Sequence, residues 1–470
     1  MLRLYNSLTR KKEEFAPIKK TARLTGGPVG LYACGPTVYS YAHIGNFRSF
    51  IFEDTLRRVL EYFGYKVRAV MNVTDVGHLS SDADTGEDKL AAAAARERKT
   101  AWEVADFYTQ AFLRDAKLLN ILPPTMMPRA TAHIKEQITL IKELEKKSFT
   151  YKTNDGIYFD TSKLASYGKL SGQRGEEKAA GKRVALGEKR RPTDFALWKF
   201  SPRGERRDIE WPSPWGVGFP GWHIECSAMS RKYLGQPFDI HAGGVDHLPV
   251  HHENEIAQSE AAYGKPLARF WLHGEYLILR GDKISKSKGN FITIDELIKR
   301  GFDPLAFRYL LFGAHYRKPL TFSWEALESA QNALTRLRSA VRNWDRQRAG
   351  CAEFEKLFAE AIADDLNMPK AISVVWEMIN SKLPTAAKAK SILKFDKVLG
   401  LGLDKCVAKT IKIPVEIKKL LAERAAARQA KNWKESDRLR DLIAEKGFLI
   451  EDTKEGQAVT AGGEVKQSQK

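Results

Sequence analysis

The sequence predicts an α/β chain: a doubly wound parallel sheet split by an insertion, then a helical bundle and a small C-terminal domain. Three observations carry that reading. A strand, a glycine-containing turn, a helix and a second strand follow one another between residues 28 and 73. The same alternation resumes with FDIHAGG, after a long block without clear period. From about residue 303 the apolar spacing turns helical and stays so to near 400.

Taken in order, residues 28–34 (PVGLYAC) form a short buried strand led in by Gly26, Gly27 and Pro28. The turn-rich GPTVYSYAHIGN follows. A helix then carries Phe47, Phe50, Ile51, Leu56, Val59, Leu60 and Phe63 and stops at Gly64, and Tyr65 to Val73 reads as the second strand. Residues 97–147 are helical, broken at Pro123 and Pro124 in LPPTMMP. Between 150 and 215 short β signals such as GIYFDTS alternate with the basic loop GEEKAAGKRVALGEKRRP, the mark of an insertion. Strand FDIHAGG, helix HHENEIAQSEAAYG and strand FWLHGEYLIL restore the α/β pattern. Leu327, Ala330, Leu334, Leu337, Val341 and Trp344 then form a helical core stripe, on a helix that also carries Arg336, Arg338, Arg342, Arg346 and Arg348. Those arginines suit either a solvated face or contact with RNA. After the linker CVAKTIKIP come two helices and a strand-like FLIED. The expected divisions are 1–120, 121–215 (the insertion), 216–302, 303–405, 406–456 and a disordered tail at 457–470.

The 470 residues carry 77 Lys and Arg against 58 Asp and Glu, a formal charge of +19. Such a surplus favours polyanion partners through counterion release, without saying which polyanion. No run of about 18 apolar residues exists, and the N-terminus lacks the apolar core of a secretory signal, so no membrane span and a cytoplasmic location are expected. The cysteines are Cys34, Cys226, Cys351 and Cys406, with no tight CxxC, which does not resemble a disulfide framework.

Two motifs carry chemistry. HIGN, His43 to Asn46, opens the first helix, where free backbone N–H groups and the positive dipole end form a ready phosphate site, and Gly45 lets a ligand approach the backbone. KISKSKGN, with Lys283, Lys286 and Lys288, suits a triphosphate whose charge shifts during reaction, although taken singly it equally suits a solvated basic turn. Together, a HIGH-like tetrapeptide after the first strand and a KMSKS-like loop after the last resemble the class I aminoacyl-tRNA synthetases, whose fold is a Rossmann-type nucleotide-binding domain split by an insertion. That resemblance implies that His43, Gly45 and Asn46 bind ATP, and that Lys286, with Lys283 beside it, stabilises the transferring phosphates. Asn46 stands where the family's motif ends in histidine.

YACGPTVY, NVTDV, GWHIECSAM, VHHENEIAQSEA and DDLNMPKA narrow the likeness to cysteinyl-tRNA synthetases, over nearly the whole chain from about residue 2 to 455. Cys34, Cys226, His251 and Glu255 are all accepted zinc ligands by type, and His251 and Glu255 are four apart. The resemblance implies one Zn²⁺ per chain on those four, with His252 the local competitor of His251. It implies too that Thr74 and Trp222 line the cysteine pocket, and that Asp246 holds the ammonium group or the ribose. VGHLSSDADTGEDK and DHLPVHHENE depart from the family pattern near the site.

Zinc has a physical rationale here. Cysteine and serine differ by sulfur for oxygen, and a soft thiolate binds zinc far better than a protonated alcohol. Excluding serine by roughly 10⁴-fold needs about 5.5 kcal/mol. The implied reaction is adenylation of L-cysteine by Mg-ATP, releasing pyrophosphate, then acyl transfer to the terminal adenosine of tRNA(Cys). The helical and C-terminal regions would grip the tRNA, in an enzyme expected to work as a monomer. Two rival readings use the same core: a ligase joining cysteine to a small amine, and a non-catalytic RNA-binding paralogue. The long helical and C-terminal regions argue against the first, and the joint presence of His43, Lys286 and the four ligands against the second.

Overall fold

The computed structural model describes residues 1–18, 27–77, 88–172, 188–201, 207–279, 291–342, 344, 349–407, 414–453 and 456–461. KISKSKGN, with Lys283, Lys286 and Lys288, lies outside these residues, as do most of the basic insertion loop and residues 462–470.

Four parallel strands form the central sheet in the order Ala268–Gly274, Phe238–Gly244, Val29–Ala33 and Val67–Met71. Because Val29–Ala33 pairs on one side with its sequence neighbour and on the other with a strand from beyond the insertion, the sheet reverses winding at its centre. The crevice there is where open α/β sheets bind ligands. The proline-rich LPPTMMP is more than a helix break. It runs parallel beside Val67–Met71, with Met71 donating to Met126 O (3.1 Å) and Val73 to Pro128 O (2.8 Å). Prolines lack the N–H a central strand needs, so this segment sits at the sheet's edge.

The first helix, Ile44–Tyr62, packs Ile44, Phe47, Ile51, Leu56, Val59 and Leu60 into the main core. It ends where Gly64 takes a positive φ of 84°. The insertion is an antiparallel four-stranded sheet, Thr150–Lys152, Gly156–Phe159, Phe195–Phe200 and Gly218–Pro220, which shares a buried core with the helices Ile134–Lys146, Trp222–Leu234 and Glu253–Tyr263. Strand FWLHGEYLIL divides: Ala268–Gly274 stays in the central sheet, and Leu277–Leu279 pairs with Leu320–Phe322 of the helical region. An N-terminal hairpin, Arg3–Asn6 with Lys11–Glu14, is an addition to the elements the sequence suggested.

The helical region is continuous with the catalytic core. Leu327, Ala330, Leu334, Leu337, Val341 and Trp344 are all buried. Two arginines of that helix turn to structural tasks: Arg338 bonds Asp303 and the carbonyl of Leu401, and Arg336 stacks over Trp376. The helices Val415–Gln429 and Trp433–Glu445 form a C-terminal unit with the hairpin Phe448–Thr453 and Gly456–Ala461. All of the hairpin's second strand but Gly456 falls within 457–470, where a disordered tail is expected from the sequence. Among the described residues no helix is long and apolar enough to cross a membrane.

Candidate active site and metal cluster

A cleft of about 470 Å³ opens at the sheet's crevice. His43, Gly45, Asn46, Trp222, Asp246 and Cys34 all line it. One cavity thus joins the mouth of the first helix to the cysteine that ends the first strand.

The helix mouth is built by its own sequence. His43 is the N-cap, its Nδ1 accepting from Asn46 N–H (3.2 Å), while Asn46 Oδ1 accepts from His43 N–H (3.1 Å). This reciprocal capping box is a role for which an asparagine amide is well shaped. It also fixes the imidazole: with Nδ1 accepting, a neutral ring carries its proton on Nε2. The ring is packed edge-on against Phe291, 5.3 Å away.

Cys34, Cys226, His251 and Glu255 come together, fully buried, their ligand atoms all within 4.8 Å of one another. A tetrahedral zinc with bonds of 2.0–2.3 Å needs ligand separations of about 3.3–3.8 Å, so the cluster fits a zinc ion after small closure. Cys34 follows a buried strand, Cys226 is on the helix Trp222–Leu234, and Glu255 is on the helix Glu253–Tyr263. His251 sits in a π-helical turn, Leu248–His252, formed by the divergent DHLPVHH segment. This widened turn aims two consecutive histidines at the site: His251 Nε2 is 3.0 Å from Glu255 Oε1, and His252 Nε2 is 3.2 Å from Cys34 Sγ. Glycines permit the approach. A Cβ on Gly243 would stand 2.8 Å from both His247 Nδ1 and His252 Cε1, and one on Gly35 would strike the Asn72 carbonyl.

A further layer of partners surrounds the cluster. His223 meets His251 Nδ1 (3.0 Å), His241 meets Glu255 Oε2 (2.9 Å), and His252 passes to His273 (2.8 Å) and on to Ser7. Cys34, His241, His252 and Glu255 form an overlapping group of ligand type. Because that group shares Cys34 and Glu255 with the first, we read His241 and His252 as outer partners that orient these two. The negative charge gathered here suits a cation, and a metal would have to displace the proton that His251 otherwise holds. Burial opposes a charged His251, yet Glu255 and Cys226 push its pKa up to about 10. Burial likewise opposes an ionised Glu255, yet His241 and His251 bring it down to about 2. A hydrogen bond from Cys34 lowers Cys226 to about 7.

Trp222 covers the cluster, its ring 4.8 Å from that of His251, and Asp246 is exposed on the cleft wall. Thr74 lies one layer back. Its hydroxyl accepts from Asn72 Nδ2 (3.0 Å), donates to Glu225 Oε2 (3.0 Å) and lines a narrow recess with Tyr39 and Lys89. Several residues here escaped the sequence reading. Lys89 reaches the cleft with its Nζ 5.7 Å from the Tyr39 ring and 6.0 Å from that of Trp222. Glu53 also lines the cleft, buried, with neither oxygen hydrogen-bonded among the described residues. The helical period places Glu53 two turns from Gly45, on the same face, but only the tertiary packing shows that this face meets the crevice.

A family model of the class I (C) tRNA synthetase catalytic domain matches residues 20–332, and one of the cysteinyl-tRNA ligase anticodon binding domain matches 411–459. Cysteine--tRNA ligase 1 of Burkholderia lata is 51% identical, covering 97% of this chain and 96% of its own length. The cysteine--tRNA ligase of Treponema denticola is 43% identical over 96% and 98%. Among solved structures, Mycobacterium tuberculosis methionyl-tRNA synthetase in complex with methionyl-adenylate superposes with a TM-score of 0.54 at 16% identity, over 81% of this chain and 92% of that one. An Agrobacterium radiobacter LeuRS–tRNA–LeuAMS ternary complex gives 0.56 at 11%, over 81% and 84%. At such identities the structures attest the fold.

Proposed function

The chain belongs to the cysteinyl-tRNA ligase family, and from that premise we propose how its own residues divide the reaction, the ATP-dependent joining of cysteine to tRNA. The observation that carries the assignment is the single cleft linking the HIGN helix mouth to Cys34 of the buried cluster. A substrate held at its base by sulfur would present its carboxylate toward a nucleotide held at the helix end.

In the first step a carboxylate oxygen of cysteine bonds to the α-phosphorus of Mg-ATP. The bond to the β-phosphate bridge breaks, and its electron pair leaves with pyrophosphate. The carboxylate is already a nucleophile, so the site needs position and positive charge rather than a strong base. The helix N-terminus and the Nε2–H of His43 donate to phosphate oxygens, and Gly45 allows the approach. Asp246 on the cleft wall takes the ribose or the ammonium group, Trp222 walls the amino-acid end, and Lys89 adds a cation beside it. Lys286 and Lys283, outside the described residues, neutralise the departing pyrophosphate. In the second step a ribose hydroxyl of the terminal adenosine of tRNA(Cys) attacks the acyl carbon and AMP leaves.

Zinc bound by Cys34, Cys226, His251 and Glu255 would supply a soft Lewis acid that favours a thiolate over an alcohol. Trp222 closes over that seat, and the outer histidines hold the ligands in place for it. Selectivity is therefore expected without an editing site: serine should support pyrophosphate exchange at less than about 10⁻⁴ of the cysteine efficiency. Comparable exchange with serine in direct competition would refute sulfur recognition at this cluster.

A further inference from the structure

We infer that Tyr32 is a positioning residue whose hydroxyl donates a hydrogen bond to the sulfur of Cys226 when metal occupies the cluster, an inference that rests on the zinc reading above. Tyr32 and Cys34 are two residues apart on one extended segment, so their side chains leave the same face of the sheet. The helix bearing Cys226 packs against that face. Tyr32, Cys34 and Cys226 belong to one buried apolar cluster with Met229, Ile256 and Trp271. The tyrosine ring stands edge-on to His241, 5.2 Å away, and His241 in turn bonds Glu255.

Tyr32 is wholly buried, and its hydroxyl has no hydrogen-bond partner among the described residues. Buried polar atoms rarely stay unpaired, so an orphan aimed at a ligand cluster asks for its acceptor. The neighbouring atoms show which one. Cys34 Sγ is already met by His252 Nε2, and Glu255 by His241 and His251. Cys226 Sγ lies 3.6 Å from Asn72 Oδ1, an oxygen that also accepts from Gly35 N–H, and its other partners, Cys34 and His251, belong to the same ligand set and have no proton to give once metal is bound. As a thiol, Cys226 can donate to that oxygen. Bound to metal it has no proton to give, and it becomes a strong acceptor for which no other donor stands among the described residues. Two thiolates and one carboxylate outweigh a dication by one negative charge, and a substrate thiolate adds another. An uncharged O–H donor eases that excess, as outer partners of metal ligands do.

The test is Tyr32→Phe in the full chain, loaded with cobalt(II). The variant keeps the ring, so its metal-free thermal midpoint should equal or exceed the wild type's, because no hydrogen bond is lost in that state. With cobalt, the sulfur-to-metal charge-transfer bands should move to lower energy, since an unbonded thiolate is the better electron donor. Chelator competition should show metal held roughly 10- to 100-fold more weakly. Identical bands and affinity in the two proteins would overturn the role of Tyr32. A wild-type protein that gains no thiolate bands with cobalt would overturn the metal reading itself, and the assignment with it.

Discussion

Glu53 shows at the residue scale how the cleft trades stability for shape. Its carboxyl is buried beside the cleft without a hydrogen bond among the described residues, and burial, with Asp246 nearby, holds its pKa well above the usual carboxylate range. For an acid whose folded pKa is raised, the folded state binds the proton more tightly than the unfolded one. The stabilising contribution is then full below the unfolded value near 4.3 and is lost as pH rises toward the raised value. Glu53→Gln should therefore raise the thermal midpoint at pH 7.5 by a few degrees and by less at pH 5. A midpoint change that does not vary between the two pH values would show that Glu53 does not titrate in this way. HIGN and the four zinc-type ligands could be read from the chain because each has a local mark of spacing or residue type. Glu53, Lys89 and Tyr32 have none. They matter through what other segments bring beside them.

Among elements, the first helix links the site to the helical region through buried charge. Asp54, eleven residues beyond His43, accepts from Arg58 and from Arg308, whose guanidinium also donates to the carbonyls of Leu399 and Leu119. Arg58 reaches the carbonyls of Asn120 and Lys397, and Leu122 N–H completes Asp54. Burial works against an ionised Asp54, but Arg308 and Arg58 together hold its pKa below the usual range. Removing one partner of a fully desolvated pair strands the other. Arg308→Met should therefore cost about 3–5 kcal/mol, and Asp54→Asn in the same chain should recover part of it. Urea denaturation of the single and double variants checks this. Full additivity would mean that the two side chains do not interact. Helical period is legible in both elements, but nothing local marks that Asp54 and Arg308, 254 residues apart, would meet.

For the whole molecule, separate cores divide the work. Val407 packs into the main core shared by the catalytic and helical regions, whereas Ile417, Ile443 and Ile450 form a small core of their own. A chain ending after Val407 should therefore fold, and should retain cysteine-dependent pyrophosphate exchange within about twofold. It should charge tRNA poorly at limiting concentration, since the family model over 411–459 is that of an anticodon binding domain. Normal charging by the truncated chain would show that the C-terminal unit does not read tRNA. The formal charge of +19 fits a polyanion partner, yet Arg336 and Arg338, singled out in the sequence as part of a basic face, are engaged with Trp376, Asp303 and Leu401. Charge count alone does not locate the nucleic-acid surface.

By itself the sequence determined what local periodicity and short-range spacing encode. These are the strand–turn–helix–strand opening, the helical stripe from Leu327 to Trp344, the helix mouth at His43 to Asn46, and four residues of zinc-ligand type. The tertiary structure decided what depends on contact across distance. It brought Cys34 and Cys226, 192 positions apart in the chain, into one cluster with His251 and Glu255. It turned LPPTMMP from a helix break into a sheet edge, and it set His251 and His252 in a π turn so that both face the site. Hydrophobic spacing fixes which face of each element is buried. Which buried faces meet is a property of the packed sheet, and the chemistry of this site arises where they do.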